Sequence, residues 1–123
     1  MIIPCLGFVT KPAPVKALVL YVDKLGRYIE HKHTYTITAL PGAVIEIVFL
    51  ALDRPDDIKK LLSLELTGAW VNEAREVPWA VIEALQGRVG RYPAMRDGGA
   101  SWYGIWMDTN PPDNDSMWFK FFE

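Results

Sequence analysis

The sequence lacks the features that would mark a disulfide-rich or membrane-spanning chain. It has one cysteine, Cys5, among 123 residues, which excludes an internal disulfide and a zinc site built from several cysteines. The longest clean apolar run near the start, residues 17–22, falls far short of the roughly 20 residues of a membrane span, and no basic segment precedes it. We therefore expect a cytoplasmic protein that does not contact a membrane.

The chain also lacks a charge excess of either sign. Its 13 basic and 15 acidic residues give a formal net charge of −2, too little to attract nucleic acid across a whole face. Half of the residues are hydrophobic and 23% are charged. This composition is typical of one globular domain, or of a piece of a larger one.

Aromatic residues are concentrated towards the C-terminal end. We expect much of this surface to be covered by a partner or to stay exposed. The residues are Trp102, Tyr103, Trp106, Trp118, Phe119, Phe121 and Phe122.

The first half of the chain predicts strands and a short helix. Residues 17–22 are a candidate buried strand. Residues 34–39 and 43–51 are rich in β-branched and aromatic side chains, and the Pro41-Gly42 turn between them predicts a β-hairpin. A short helix with apolar side chains at Ile58, Leu61 and Leu62 follows, and Asp53 is its expected start.

The second half predicts a strand, a helix and another strand. Residues 68–71 form a short apolar strand, and Pro78 starts a helix whose apolar stripe runs from Val81 to Val89, with Gly90 at its end. After a loop at residues 91–100, residues 102–107 form an apolar strand, and residues 116–123 predict a last helix. This order predicts a parallel sheet flanked by helices, with the hairpin at its N-terminal side.

Two polar clusters follow the two apolar strands of this unit. Asn72-Glu73 comes directly after the first, and Asp108-Thr109-Asn110, stopped by Pro111, comes after the second. Ligands of parallel sheets bind at the carboxyl ends of the strands. A carboxylate fixed there can activate a water for phosphate hydrolysis, and Thr109 and Asn110 can hydrogen-bond a γ-phosphate. Each cluster also has a simpler interpretation: Asn72-Glu73 as a helix cap, and Asn110-Pro111 as a turn.

Three passages together resemble the ATPase domain of the large terminase subunit of tailed bacteriophages. They are VIEIVFLALDRPDDIKKLLSLELTGAWVNEAREVP (44–78), GRVGRYPAMRDGG (87–99) and GIWMDTNPPDNDSMW (104–118). The similarity extends over about residues 43–122. Members of this family package DNA into a preformed capsid by ATP hydrolysis, and a separate nuclease domain cuts the DNA.

The resemblance assigns roles to individual residues. It implies that Asn72-Glu73 is a Walker B-like pair with Glu73 as the catalytic carboxylate, although the usual first residue of the pair is Asp. It implies that Thr109-Asn110-Pro111 is the motif that couples hydrolysis to DNA movement. It also makes Arg54 the candidate for an arginine that serves a neighbouring subunit. The alternative for Arg54 is an exposed side chain at a helix entrance.

The resemblance further implies a fold, cofactors and partners. The fold is a fragment of a P-loop NTPase-type sheet, with residues 34–123 as a partial ATPase domain and residues 1–33 unassigned. The cofactors are ATP and Mg²⁺, and no metal site is assigned to residues of this chain. The implied partners are double-stranded DNA, the portal protein, the small terminase subunit and sister large subunits in a bacterial host cell.

A phosphate-binding loop is missing from the sequence. No Gly-Lys pair occurs anywhere in the chain, so the G-x-x-x-x-G-K-[ST] pattern is absent. We therefore expect a truncated prophage-derived chain that does not hydrolyse ATP alone, binds nucleotide weakly or not at all, and has no nuclease domain. The alternative is a non-enzymatic prophage remnant or small binding domain with the same β-α-β core.

Overall fold

The structure is a computed structural model that describes residues 5–9, 25–39, 41–42, 44–52, 54–111 and 113–122. The strand expected at residues 17–22 and the helix start expected at Asp53 lie outside these ranges. No helix in the described part is both long enough and apolar enough to cross a membrane.

Six strands in the described ranges form one mixed sheet. They are β1 (Cys5–Val9), β2 (Gly26–Ile29), β3 (Thr34–Ile37), β4 (Ile45–Leu50), β5 (Gly68–Val71) and β6 (Gly104–Met107). Their order across the sheet is β2-β3-β4-β1-β5-β6. Strands β4, β1, β5 and β6 run parallel, whereas β2, β3 and β4 are antiparallel. The predicted α/β class is confirmed, but the predicted parallel arrangement holds for only part of the sheet.

Three α-helices accompany the sheet in the described part of the chain. They are α1 (Ile58–Leu62), α2 (Trp79–Gln86) and α3 (Met117–Phe122). Short 3-10 helices span Glu30–Lys32, Pro55–Asp57, Ala74–Glu76 and Met95–Asp97. Apolar side chains of all three α-helices and of β5 form one core, and partly buried side chains of β6 pack against it. Its fully buried members include Leu61, Leu66, Val71, Val81, Ile82 and Leu85.

The expected hairpin is formed by β3 and β4. Thr34 pairs with Val48 and Ile37 with Ile45. Gly42 in the connecting turn has φ +72°, a left-handed conformation that glycine adopts without the steric cost of a Cβ. The structure therefore contains the turn that the Pro41-Gly42 pair predicts.

Helix α2 ends earlier than its sequence predicts. The buried stripe includes Val81, Ile82 and Leu85, but the helix stops at Gln86 instead of continuing to Gly90. The chain turns away because residues 88–91 pair with the segment before β5. The Leu66 N–H donates to the Arg88 carbonyl oxygen at 3.1 Å, and the Arg91 N–H donates to the Leu66 carbonyl oxygen at 3.0 Å. A long-range pairing thus ends the helix.

The sequence did not predict β2, which lies beside β3 at the edge of the sheet. A Cβ at Gly26 would overlap the backbone of Thr36 and Ile37 on β3. We expect Gly26→Ala to lower the free energy of unfolding by about 1–3 kcal/mol, since β2 must move away from β3. Urea unfolding measures the change.

Gly87→Ala is the matched control for this substitution. A Cβ at Gly87 meets only the Ala84 carbonyl oxygen, at an ordinary 3.5 Å, and the backbone there is right-handed helical. We expect its effect to stay within about 0.5 kcal/mol or to be slightly stabilising. Equal losses in both variants would contradict the close approach at Gly26.

Candidate functional site

The candidate site forms where β5 and β6 end. The two strands are parallel neighbours, with Trp70 opposite Trp106 and Val71 opposite Met107. Asn72-Glu73 and Asp108-Thr109 therefore leave the sheet at the same edge, which is the carboxyl end of both strands. The structure places the two predicted clusters side by side.

Backbone and side-chain hydrogen bonds join the segments that follow the two strands. We call residues 72–75 and 108–111 together the paired turns. The Asp108 N–H donates to the Val71 carbonyl oxygen at 3.1 Å, and the Ala74 N–H donates to the Asp108 carbonyl oxygen at 2.9 Å. The Arg75 N–H donates to Thr109 Oγ1 at 3.2 Å, and Arg75 Nη1 donates to the Pro111 carbonyl oxygen at 3.0 Å. The segments that follow β5 and β6 thus form one hydrogen-bonded unit.

Glu73 has an unusual backbone conformation within the paired turns. Its φ of 53° and ψ of 49° lie in the left-handed region, which non-glycine residues seldom adopt and which is enriched at functional sites. This conformation directs the chain from β5 into the 3-10 helix Ala74–Glu76. The half-buried side chain of Glu73 accepts no hydrogen bond and forms no ion pair with other described residues.

The three residues of the predicted coupling motif are only partly available for binding. The Thr109 hydroxyl accepts from the Arg75 N–H and donates to the Asn110 carbonyl oxygen at 3.1 Å. The Pro111 carbonyl oxygen accepts from the Arg75 guanidinium. The side chain of Asn110 is exposed. A ligand can reach Asn110 directly, but Thr109 must exchange its present partners to bind a phosphate.

Arg54 lies beyond β4, whose carboxyl end is at the same edge of the sheet. Its backbone N–H donates to Asp57 Oδ2 at 3.3 Å, and its side chain is exposed. A hydrogen bond from Lys60 and, to a lesser degree, the nearby charges of Lys60 and Arg54 lower the pKa of Asp57. Within the described ranges, no contact links the Arg54 guanidinium to Glu73, so its role in a neighbouring subunit stays a prediction.

Asp108 and Arg75 are the residues of this site to which the sequence assigned no role. Asp108 was visible as the first polar residue after an apolar strand, but spacing alone does not reveal what its carboxylate contacts. Glu73 N–H donates to Asp108 Oδ1 at 3.1 Å, and Trp70 Nε1–H donates to Oδ2 at 2.5 Å. Both bonds join residues far apart in the sequence.

The side chains that follow β5 include oxygen donors of the kind that Mg²⁺ prefers. Glu73 provides one carboxylate, and Asn72 provides an amide without charge. Among the described residues, no group of three or more histidine, cysteine, aspartate or glutamate side chains could enclose a metal. Mg²⁺ is usually held by one or two carboxylates together with substrate phosphates and waters.

Comparison with solved structures identifies the wider class of this fold. The large terminase of a thermophilic bacteriophage superposes with a TM-score of 0.72 and 15% identity, covering 100% of this chain and 30% of that chain. The same phage's enzyme in complex with ADP gives 0.68 and 17%, covering 98% and 29%. The large terminase ATPase domain of Thermus phage P74-26 gives 0.55 and 16%, covering 98% and 51%.

Because the sequence identities are low, these structural similarities show a shared fold and nothing finer. No protein-family model and no curated protein sequence matches the chain. The chain spans about three tenths of the length of the first two terminase structures. The described fold is therefore that of a segment of a large terminase.

Proposed function

We propose that this chain is a segment of the ATPase domain of a bacteriophage large terminase, the motor that packages double-stranded DNA into a preformed capsid. The observation that carries the proposal is the hydrogen-bonded pair of polar turns at the carboxyl edge of two adjacent parallel strands. The fold shared with large terminases supports it. We further propose that the parallel strands belong to a P-loop NTPase-type sheet, with residues 34–123 as the partial domain.

Glu73 is the proposed catalytic carboxylate. It follows a buried strand that fixes its backbone, and no described neighbour occupies its carboxylate. In this position it accepts a proton from the water that attacks the γ-phosphate, or orients that water. Asn72 precedes it and can accept a hydrogen bond from a metal-bound water. When bound, Mg²⁺ neutralises charge on the phosphates.

Thr109, Asn110 and Pro111 form the proposed coupling motif. Thr109 and Asn110 have hydroxyl and amide groups that hydrogen-bond phosphate oxygens, and they belong to the same unit as Glu73. A change at the γ-phosphate that frees the Thr109 hydroxyl from Arg75 would therefore alter both turns. This is how the geometry could report hydrolysis to the rest of a motor.

The partners of the proposed function belong to the longer protein. Double-stranded DNA, the portal protein, the small terminase subunit and sister large subunits are proposed contacts in a bacterial cytoplasm, with Arg54 as the residue offered to a sister subunit. The phosphate-binding loop pattern is absent from the sequence. We therefore propose that this chain alone binds Mg-ATP weakly and does not turn it over.

Nucleotide titration tests the proposal directly. We expect Mg-ATP to shift the backbone amide resonances of the paired turns with a Kd of about 1 mM or weaker. Thr109→Ala and Glu73→Ala should reduce these shifts. Asp113→Asn is the control, because Asp113 is an exposed carboxylate just beyond the second turn. Amide NMR spectra, with calorimetry in parallel, provide the measurement.

Two results would contradict the proposal. Resonance shifts confined to residues outside the paired turns would show that the nucleotide does not bind at this edge of the sheet. Micromolar binding in calorimetry would mean that the chain contains a phosphate site of another sequence pattern, and the proposed inactivity would be wrong.

A further inference from the structure

Asp108 links the turn at Glu73 to the ends of the paired strands β5 and β6. It receives hydrogen bonds from three residues on or after β5. The Glu73 N–H binds one carboxylate oxygen, the Trp70 indole N–H binds the other, and the Ala74 N–H binds the backbone carbonyl. Its own N–H donates to Val71. We call this set of four hydrogen bonds the Asp108 clasp.

The carboxylates of Asp108 and Glu73 differ in their hydrogen bonding. Both oxygens of Asp108 already accept from neutral N–H donors, and such bonds to a charged carboxylate are stronger than bonds between neutral groups. The carboxylate of Glu73, by contrast, accepts no hydrogen bond from another described residue. Within the part of the chain that the structure describes, other residues bind the carboxylate of Asp108 and none binds that of Glu73.

The clasp also acts on the strained part of the site. Left-handed backbone is unfavourable at a residue with a Cβ and persists only where surrounding contacts enforce it. The N–H groups of Glu73 and Ala74, on either side of the Glu73 Cα, both bind Asp108. They fix the peptide planes that define φ and ψ of Glu73, and hence the direction of its Cα–Cβ bond.

We infer that Asp108 is a positioning residue, which sets the backbone conformation from which the Glu73 side chain projects and anchors that turn to Trp70 on β5. This inference rests on the proposed function only in calling the positioned carboxylate catalytic. The anchoring itself can be measured in the chain as it is.

Two substitutions at Asp108 test the inference by amide hydrogen exchange and indole NMR. In Asp108→Ala we expect the Glu73 amide to exchange about tenfold to a hundredfold faster, because its charged acceptor is lost. The Trp70 indole resonance, identified by its disappearance in Trp70→Phe, should move towards the position of a solvent-exposed indole. Asp108→Asn keeps one carbonyl oxygen and replaces the other oxygen by an NH2 group, which cannot accept a hydrogen bond. We therefore expect at least one of the two changes, at the Glu73 amide or at the Trp70 indole, to occur in this variant as well.

Internal and external controls distinguish positioning from a general loss of stability. The amides of Val81 and Leu85 in α2 report global unfolding, and we expect their exchange to change far less than that of Glu73. Asp113→Asn removes the same charge beyond the clasp and should alter neither signal. Unchanged Glu73 exchange and Trp70 resonance in folded Asp108→Ala would overturn the inference, as would equal acceleration at Glu73, Val81 and Leu85.

The outcome for the proposed function is separate. If Mg-ATP fails to perturb the paired turns of the unsubstituted chain while the Asp108 effects occur, the nucleotide site is wrong but the clasp stands. If Mg-ATP perturbs the turns and Asp108→Ala changes neither signal, the clasp is wrong and the nucleotide site stands.

Discussion

Trp118→Ala should lower the free energy of unfolding by about 3–5 kcal/mol, the usual cost of removing a large buried aromatic side chain. Trp118 is 4% exposed and belongs to the core. Its ring lies edge-on to that of Trp79, with centroids 5.2 Å apart, and 6.3 Å from that of Phe121. Truncation leaves a cavity between α2 and α3 that a short helix cannot close. Urea or thermal unfolding measures the loss.

Trp106→Ala is the control, since it makes the same chemical change at a site that is 58% exposed. Its ring stacks on Trp102 with centroids 4.8 Å apart, so we expect a loss of only about 0.5–1.5 kcal/mol. Comparable losses at both positions would show that α3 does not dock as described.

Leu61→Ala should cost about 2–5 kcal/mol through the lost burial and the cavity left behind. Leu61 is 0% exposed, whereas the next residue in the same helix, Leu62, is 46% exposed. Leu62→Ala is therefore a closely matched control, with an expected loss of less than about 1 kcal/mol. Urea unfolding, interpreted with the slope m unchanged, measures both.

The outcome at these two leucines would locate the face of α1. A larger loss at Leu62 than at Leu61 would mean that the helix is rotated relative to the sheet. The sequence placed both residues on one apolar side, and only the contacts across the core separate them.

Local sequence patterns predicted the elements that build the site. The apolar runs before Asn72 and Asp108 are strands, and the stripe at Val81, Ile82 and Leu85 is a buried helical face. These predictions succeeded because side-chain periodicity and turn chemistry act over a few residues. They also predicted that both polar clusters leave the sheet at one edge, since consecutive parallel strands share their carboxyl end. The chemical roles of Glu73, Asn72 and Thr109 stay predictions.

The aromatic C-terminal part shows where local patterns stop being sufficient. Composition predicted that much of this aromatic surface would be covered by a partner or stay exposed, and four of its rings do stay exposed, but one ring enters the core of this chain instead. Trp118 is buried against Trp79, whereas Trp102, Tyr103, Trp106 and Phe121 remain exposed. Which ring enters the core depends on the position of α2, and no spacing within residues 102–122 contains that information.

The sequence by itself determined strands β3 to β6, the three α-helices, the hairpin turn and the residues that follow β5 and β6, but it predicted neither β1 nor β2. Only the tertiary structure decided that β1 lies between β4 and β5, that β2 adds an antiparallel edge, and that Asp108 binds Glu73 and Trp70. The physical reason is the sequence separation of the residues that interact. Strand order and side-chain partners depend on contacts between residues tens of positions apart, as in the pairing of Asp108 with Trp70, whereas local patterns report only on near neighbours.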